Sequence, residues 1–468
     1  MRYIFLPFLF PIILVAQDRN NSLYDSIMKA ELTLNGFNGN VLVAKAGKII
    51  FQKSYGYRNY DTKELLDSNS VFELASITKQ FTAVCILQLM EAGKLKLSDS
   101  LRQYFPEMPY HNITIQQLLT HTSGLPDYSD SMGNYWNHKN IAFNNDAILF
   151  LEKEKLLANF KPDTKWQYCN TGYMLLASIV EKLSGLTFQD YLQQHIFKPL
   201  HMNHSRIYNT RRSSTEVIPD YAYGFVYSDS LKRYILPDSL PALDYVFYLD
   251  GIVGDGGVNS TTTDLYKWDR ALKNHVLLRE DTQNEMFSAQ ATVDTSLNSS
   301  YGYGEFLGQN SFGLGNYIAH SGVWPGYLNI MSRYVKDDIT IIILSNNESN
   351  YHWPLYQLGY VASHKAVEVP YKHISVSLNN SSFESDFGKY MIPYVPATQF
   401  NLFEKEGKIY MRFEKDTSEF EFKPESLTKL FNAGKNDQQI EFIQNSFGTK
   451  QQVFFVDHGL KTEIVKVD

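Results

Sequence analysis

FELASITKQFTAVCILQL, residues 72 to 89, sets a serine and a lysine three apart at the head of an apolar run. Side chains at that spacing share one face of a helix, so the Lys79 amine can reach the Ser76 hydroxyl and act on its proton. The run behind them, with Phe81, Val84, Cys85, Leu87, Leu89 and Met90 before Gly93, reads as a largely buried helix over 76 to 92. Burial of that helix puts its first residue deep in the protein. There the helix N-terminus favours an oxyanion, and both the dipole and desolvation disfavour a charged lysine. Such a bias is needed, because an unperturbed lysine with a pKa of about 10.4 is neutral in fewer than about one molecule in a thousand at pH 7. The spacing alone does not select the site: Ser26-Ile27-Met28-Lys29 and Ser426-Leu427-Thr428-Lys429 repeat it. The first decoy lies on an amphipathic N-terminal helix and the second in a β-rich tail, and both read as exposed polar pairs.

Around this helix, residues 39 to 56 and 327 to 346 read as two hairpins, and 114 to 120, 146 to 157, 172 to 184 and 263 to 273 carry helical patterns. Strands early and late with helices between them predict an α+β fold: one antiparallel sheet closed by both ends of the chain, with a helical insertion, over 18 to 365. From about 375 to 468 the pattern changes to alternating aromatic strands such as TQFNLFEKEGKIYMRF and QQVFFVDHGLKTEIVKV, which predicts a small, barrel-like antiparallel β domain.

The chain has 468 residues, 44% of them hydrophobic and 14% aromatic, enough for two or three globular domains. Its 43 Lys and Arg against 50 Asp and Glu give a formal charge of -7 without a long basic run, so nucleic acid is not an expected partner. MRYIFLPFLFPIILVAQ at the start has one Arg, an apolar stretch from Ile4 to Val15 and then Ala16. It reads as a secretory signal over 1 to 17, because about 12 apolar residues broken by Pro7 and Pro11 are too few to span a bilayer. The expected location is therefore periplasmic or extracellular, with membrane attachment only through an uncleaved signal. The two cysteines, Cys85 and Cys169, are expected to be free thiols.

Two further segments carry chemistry. Tyr168-Cys169-Asn170 offers a phenol that can exchange protons with Ser76 or a leaving group, and an amide that can hold Lys79 and a substrate carbonyl. His320-Ser321-Gly322 leads into the late hairpin. Gly322 allows close backbone approach, the Val323 N–H can donate to an oxyanion, and His320 can bind or relay a proton.

Ser76-x-x-Lys79, Tyr168-x-Asn170 and His320-x-Gly322, in that order, resemble the three active-site elements of the class C β-lactamase, DD-peptidase and esterase family of penicillin-recognising serine hydrolases. LLTHTSGLPDY (118 to 128), GDGGVNSTTTDLYKWDRAL (254 to 272) and YGYGEF (301 to 306) also match segments of that family in order. The resemblance covers about residues 25 to 350. It implies a β-lactamase/transpeptidase-like fold and an acyl-enzyme mechanism on a peptide, amide or ester. Ser76 would be the nucleophile, Lys79 and Tyr168 would share its proton, and the Ser76 and Val323 N–H groups would hold the oxyanion. Asn170, His320, Ser321, Gly322 and Val323 would bind substrate, which includes peptidoglycan-derived D-amino-acid peptides. No cofactor or metal is implied. The sequence departs from the family in two places: His320 stands where many members have a carboxylate-binding Lys, and Cys169 where Ser is usual. A neutral His320 does not attract a carboxylate as Lys does.

Other readings are blander. His201-Met202-Asn203-His204 has ligand spacing but reads as an exposed turn. Gly254-Asp255-Gly256-Gly257 lacks the strand, spacing and helix of a phosphate loop. His121 reads as holding a loop, and Tyr301 and Glu305 as cleft neighbours without an assigned role. The alternative to an enzyme is a penicillin-binding-like binding or regulatory protein without turnover, which would need no nucleophile and base together.

Overall fold

The early hairpin forms as β1 (Gly39–Lys45) and β2 (Lys48–Tyr55), turning at Ala46 and Gly47, both at positive φ, as a two-residue hairpin turn requires. In the computed structural model, which describes residues 11–208, 218–394, 397–444 and 451–467, this hairpin forms one end of an eight-stranded antiparallel sheet. The other strands are β3 (Ala291–Asp294), β4 (Ser299–Tyr301), β5 (Phe306–Asn310), β6 (Gly315–Trp324), β7 (Tyr327–Tyr334) and β8 (Ile339–Ser345), in the order β2-β1-β8-β7-β6-β5-β4-β3. The first strand of the region thus pairs with the last, Val41 opposite Ile343. Both are buried along almost their whole length, which explains their unbroken apolar runs.

The residue chain groups into two compact units. One comprises 37–309 and 316–351 and holds this sheet with the helices between β2 and β3. The helix α2 (Thr78–Glu91) is buried on nearly every side, from Thr78 to Leu87 and again at Leu89. It packs against α3 (Asn170–Ser184). Phe81 stacks on Trp268 at 4.1 Å, which lies on α4 (Thr262–Lys273). The buried Asp269 carboxylate ties α4 to the sheet: it accepts from Arg333 Nε on β7 at 2.7 Å and from Thr340 Oγ1 on β8 at 2.8 Å. Removing one partner of such a buried pair typically costs about 3–5 kcal/mol. The helix expected over 146 to 157 spans Asn144–Glu154 instead. Lys155 turns left-handed at φ 48° and ends it, leaving Leu157 89% exposed.

The second unit comprises 1–36, 310–315 and 352–468. Its centre is a closed eight-stranded antiparallel barrel, from β9 (Gly388–Ile392) to β16 (Leu460–Val467) in chain order. Phe400, Met411, Phe422, Ile440 and Phe455 fill it. Here α1 (Pro11–Asn35) packs on α5 (His352–Ala362), and Trp353 of α5 stacks on His458 at 3.8 Å. This grouping takes residues 18–36 and 352–365 with the barrel, although the sequence reading attached them to the sheet. Contact order does not follow chain order there, because α1 finds its apolar partner in α5. The secretory signal read over 1 to 17 falls on residues 1–10, outside the described residues, and on the first turns of α1. Among the described residues no helix is long and apolar enough to cross a membrane. Cys85 and Cys169 are both buried free thiols.

Candidate active site

Ser76 does not open the α-helix itself. It lies in a 3-10 turn, Ala75–Ile77, directly ahead of α2, with Ala75 left-handed at φ 49°. A non-glycine residue in that region is strained and persists only where its surroundings hold it. The Leu74 N–H donates to Val258 O at 2.9 Å, and on the other side β6 comes close. A Cβ on Gly322 would lie 1.9 Å from Leu74 O. The demand for glycine at 322 therefore comes from the chain's own turn, which carries Ser76.

Lys79 is fully buried, yet its amine has three acceptors: Ser76 Oγ at 3.2 Å, Asn170 Oδ1 at 2.9 Å and Asp255 O at 2.9 Å. Neither decoy pair meets in this way. Ser26 Oγ donates to Ser22 O at 2.8 Å while Lys29 pairs with Asp25 at 3.0 Å. Ser426 Oγ shares a hydrogen bond with Thr428, and Lys429 binds Glu368 and the Tyr371 hydroxyl.

Asn170 is the first residue of α3, and its N–H donates to Asp127 Oδ2 at 2.6 Å. The loop 125–128 holds the same helix end through Thr171 Oγ1, which donates to Pro126 O at 2.8 Å and accepts from the Tyr128 N–H at 2.8 Å. Cys169 Sγ donates to Leu125 O at 3.4 Å, so the thiol that replaces the usual serine is used within the protein. The carbonyl of Asp255 reaches Lys79 because loop 254–257 is pinned between α2 and α3. Thr82 Oγ1 donates to Gly254 O at 2.6 Å, and a Cβ on Gly254 would lie 2.4 Å from the Ala177 Cβ. The Asp255 carboxyl accepts from the Tyr128 hydroxyl at 2.8 Å. Burial pushes its pKa up, against the pull of Lys79 and that hydrogen bond.

Ser76, Asn170, Asp255 and Val323 line one cleft, with Tyr128 and Trp324 on its walls. Tyr168 stands beside Lys79, whose Nζ is 4.8 Å from the centre of the phenol ring. Its hydroxyl is buried and has no hydrogen-bond partner among the described residues, the condition of a group waiting for one.

His320 is buried beside Tyr168 rather than open to substrate. It is 1% exposed, with its ring centre 6.1 Å from that of Tyr168. Nδ1 is 2.6 Å from Ser321 O, an acceptor only, so Nδ1 carries the proton. Nε2 is then the acceptor for the Tyr301 hydroxyl at 3.1 Å. Burial and the nearby Lys79 charge push its pKa down to about 3. Both nitrogens are thus engaged within the protein and the ring is neutral at ordinary pH, so His320 supplies no charge for a substrate carboxylate. The Ser321 side chain is likewise engaged within the protein, with Tyr351 as its partner.

The sequence reading missed Asp127, Tyr128 and Asp255. The signal was present: an acid among three glycines at 254–257 marks a backbone packed tightly against something, and LPDY precedes a helix start that only folding brings near.

A half-buried serine paired with a buried lysine at the head of a helix, beside a sheet strand bearing glycine, is the site geometry of a serine hydrolase of the penicillin-binding type. A sequence model described as Beta-lactamase matches residues 30–355, and the chain belongs to that family. It is 44% identical over 314 residues to penicillin-binding protein 4* of Bacillus subtilis (strain 168), covering 67% of this chain and 69% of that one. Among solved structures, the octameric penicillin-binding protein homologue from Pyrococcus abyssi aligns with a TM-score of 0.64 at 22% identity, over 95% of this chain and 99% of that one. D-amino acid amidase from Ochrobactrum anthropi SV3, complexed with L-phenylalanine amide, gives 0.61 at 21% identity, over 74% of this chain and 99% of that one. These two structural likenesses establish the β-lactamase/transpeptidase-like fold.

Proposed function

We propose that this protein is an exported serine hydrolase that cleaves an amide, peptide or ester through an acyl-enzyme on Ser76. The observation that carries the reading is the 3.2 Å approach of Lys79 Nζ to Ser76 Oγ at the floor of a cleft. Neutral acceptors on Asn170 and Asp255 hold the same amine and aim it at the hydroxyl. In the first step Ser76 Oγ bonds to the substrate carbonyl carbon while its proton passes to Lys79 and Tyr168, which share it. The carbonyl oxygen takes the negative charge and is received by the Ser76 and Val323 N–H groups. The bond to the leaving nitrogen or oxygen then breaks, and the leaving group takes a proton through Tyr168 and Lys79. Water adds to the resulting ester, the Ser76 C–O bond breaks, and the acid departs as Ser76 regains its proton.

The substrate class is D-amino-acid amides, esters or small peptides, including those derived from peptidoglycan, with inefficient β-lactam turnover. The neutral, internally bonded His320 favours the amides and esters within this class and the inefficient β-lactam turnover, since a carboxylate next to the scissile bond finds no cation there. The named amidase with the same fold fits the same class. Export rests on the apolar leader of the sequence.

The test is the intact mass of the mature protein after incubation with a penicillin and with a D-amino-acid ester, beside Ser76→Ala. A covalent adduct or ester turnover absent from the variant is expected, as is a mature chain lacking about the first 16 residues. Full hydrolysis by a folded Ser76→Ala protein would overturn the reading.

A further inference from the structure

The phenol of Tyr168 is free at its tip, so something else must fix where it stands. The segment that bears it is gripped from both sides by one residue of another loop. The Gln167 N–H donates to His121 O at 3.0 Å, and the Cys169 N–H donates to His121 Nδ1 at 3.1 Å. The imidazole also lies against the phenol, with ring centres 4.3 Å apart at 34°. His121 itself is 1% exposed and held left-handed at φ 59°, a conformation that costs a β-carbon residue energy unless its surroundings impose it. A backbone N–H only donates, so Nδ1 must be an unprotonated acceptor and the single ring proton sits on Nε2. Nε2 is buried and finds no partner among the described residues. An apolar ring would fill the same space without that orphaned polar edge. What histidine adds is the acceptor at Nδ1.

We infer that His121 is the positioning residue for Tyr168: its carbonyl and Nδ1 fix the backbone on either side of the tyrosine, and its ring sets the plane of the phenol beside Lys79. The inference rests on the proposed function in taking Tyr168 as a proton carrier. His121 touches neither substrate nor the reacting atoms, and it does its work in the neutral form. A proton on Nδ1 would break the bond to Cys169, and burial together with the charge of Lys79 holds the imidazole well below its ordinary range. A displacement of the phenol by about 1 Å is enough to cost on the order of a hundredfold in rate.

The test compares His121→Asn with His121→Gly. Both residues accept the left-handed backbone, but only asparagine can return an acceptor near the position of Nδ1. With a D-amino-acid p-nitrophenyl ester as probe, His121→Gly is expected to lose about tenfold or more in kcat with KM within about twofold, and His121→Asn to stay within about threefold of the parent. A purely structural role would not separate kcat from KM, nor would it be rescued by asparagine. Equal kcat in His121→Gly and the parent, or equal loss in both variants, overturns the inference. If His121→Gly does not fold, His121→Phe keeps the ring volume without the acceptor and is expected to show the same loss. Should the parent turn over no ester and form no adduct on Ser76, the proposed function fails, and the inference is then judged from the crystal structure of His121→Phe. A phenol shifted away from Lys79 supports it, and an unmoved Tyr168 overturns it.

Discussion

Ser76 and Lys79 are three apart, and so are Ser26 and Lys29, each on or just before a helix; chemically the two pairs are the same. In the first, the amine is fully buried and its acceptors are a serine, an asparagine and a carbonyl. In the second, the amine is paired with Asp25 and the hydroxyl is turned back on its own helix. Only in the first does the amine lie against the serine hydroxyl. The difference teaches that the motif supplies the reach while the tertiary environment supplies the reactivity.

That comparison breaks most directly at the nucleophile. Ser76→Ala should lower kcat/KM for a reactive ester by about 10⁴-fold or more, whereas Ser26→Ala should leave it unchanged within about twofold. Steady-state kinetics on the three proteins decides, and comparable losses in both variants would erase the distinction. Lys79→Met should cost about 10²- to 10⁴-fold through loss of the base, and Lys29→Met nothing measurable.

A gentler challenge is aimed at the turn that lifts Ser76 into place. Gly322→Ala puts a methyl 1.9 Å from Leu74 O, so either β6 or the turn must move. The expected costs are about 1–3 kcal/mol in chemical denaturation and a fall in acylation rate of about tenfold or more. Parent-like values on both counts would show that the close approach is dispensable.

Two histidines sharpen the same contrast between buried and exposed ionisable groups. The pKa of His320 is lowered from its ordinary 6.5 to about 3, so the unfolded chain binds the proton more readily. Its neutral burial is fully compatible with folding above pH 6.5, and stability is lost as pH falls from there toward about 3, at no more than about 1.4 kcal/mol per pH unit. Urea midpoints measured between pH 4 and 7 should fall less steeply in His320→Asn than in the parent, and identical slopes would refute the assignment.

His138 behaves in the opposite sense. Its Nε2 faces Gly133 O at 2.7 Å and its Nδ1 faces Asp244 at 2.6 Å, two acceptors that call for two N–H donors and hence the imidazolium. The Tyr248 ring stacks on it at 4.3 Å. The Gly133 carbonyl and the Asp244 carboxylate raise its pKa. The contribution is therefore complete below its ordinary value of 6.5 and lost as pH rises through the folded value above it. Amide exchange in segment 245–249, corrected for intrinsic rates, should speed up modestly between pH 6 and 9 in the parent. In His138→Ala it should be pH-independent, and a parent-like pH dependence there would assign the effect to another group.

Much of this protein is local and was therefore written in the residue pattern. The β1–β2 hairpin follows from alternating β-rich runs about a two-residue turn. The helix behind Ser76 follows from its apolar run, and the barrel from short aromatic strands at even spacing. That Ser76 and Lys79 meet was legible too, since their flanks marked them off from the repeats of the same letters. What sequence could not decide were relations between distant segments. The carbonyl of Asp255 reaches Lys79 only because loop 254–257 is wedged between two helices. The two nitrogens of His320 are claimed by Tyr301 and Ser321 rather than by a ligand, and the grip of His121 on Tyr168 joins positions nearly fifty apart. Local pattern fixes which atoms are offered, because propensity and periodicity act over a few residues. Burial and hydrogen bonding fix which atoms remain available, because packing acts across the whole chain.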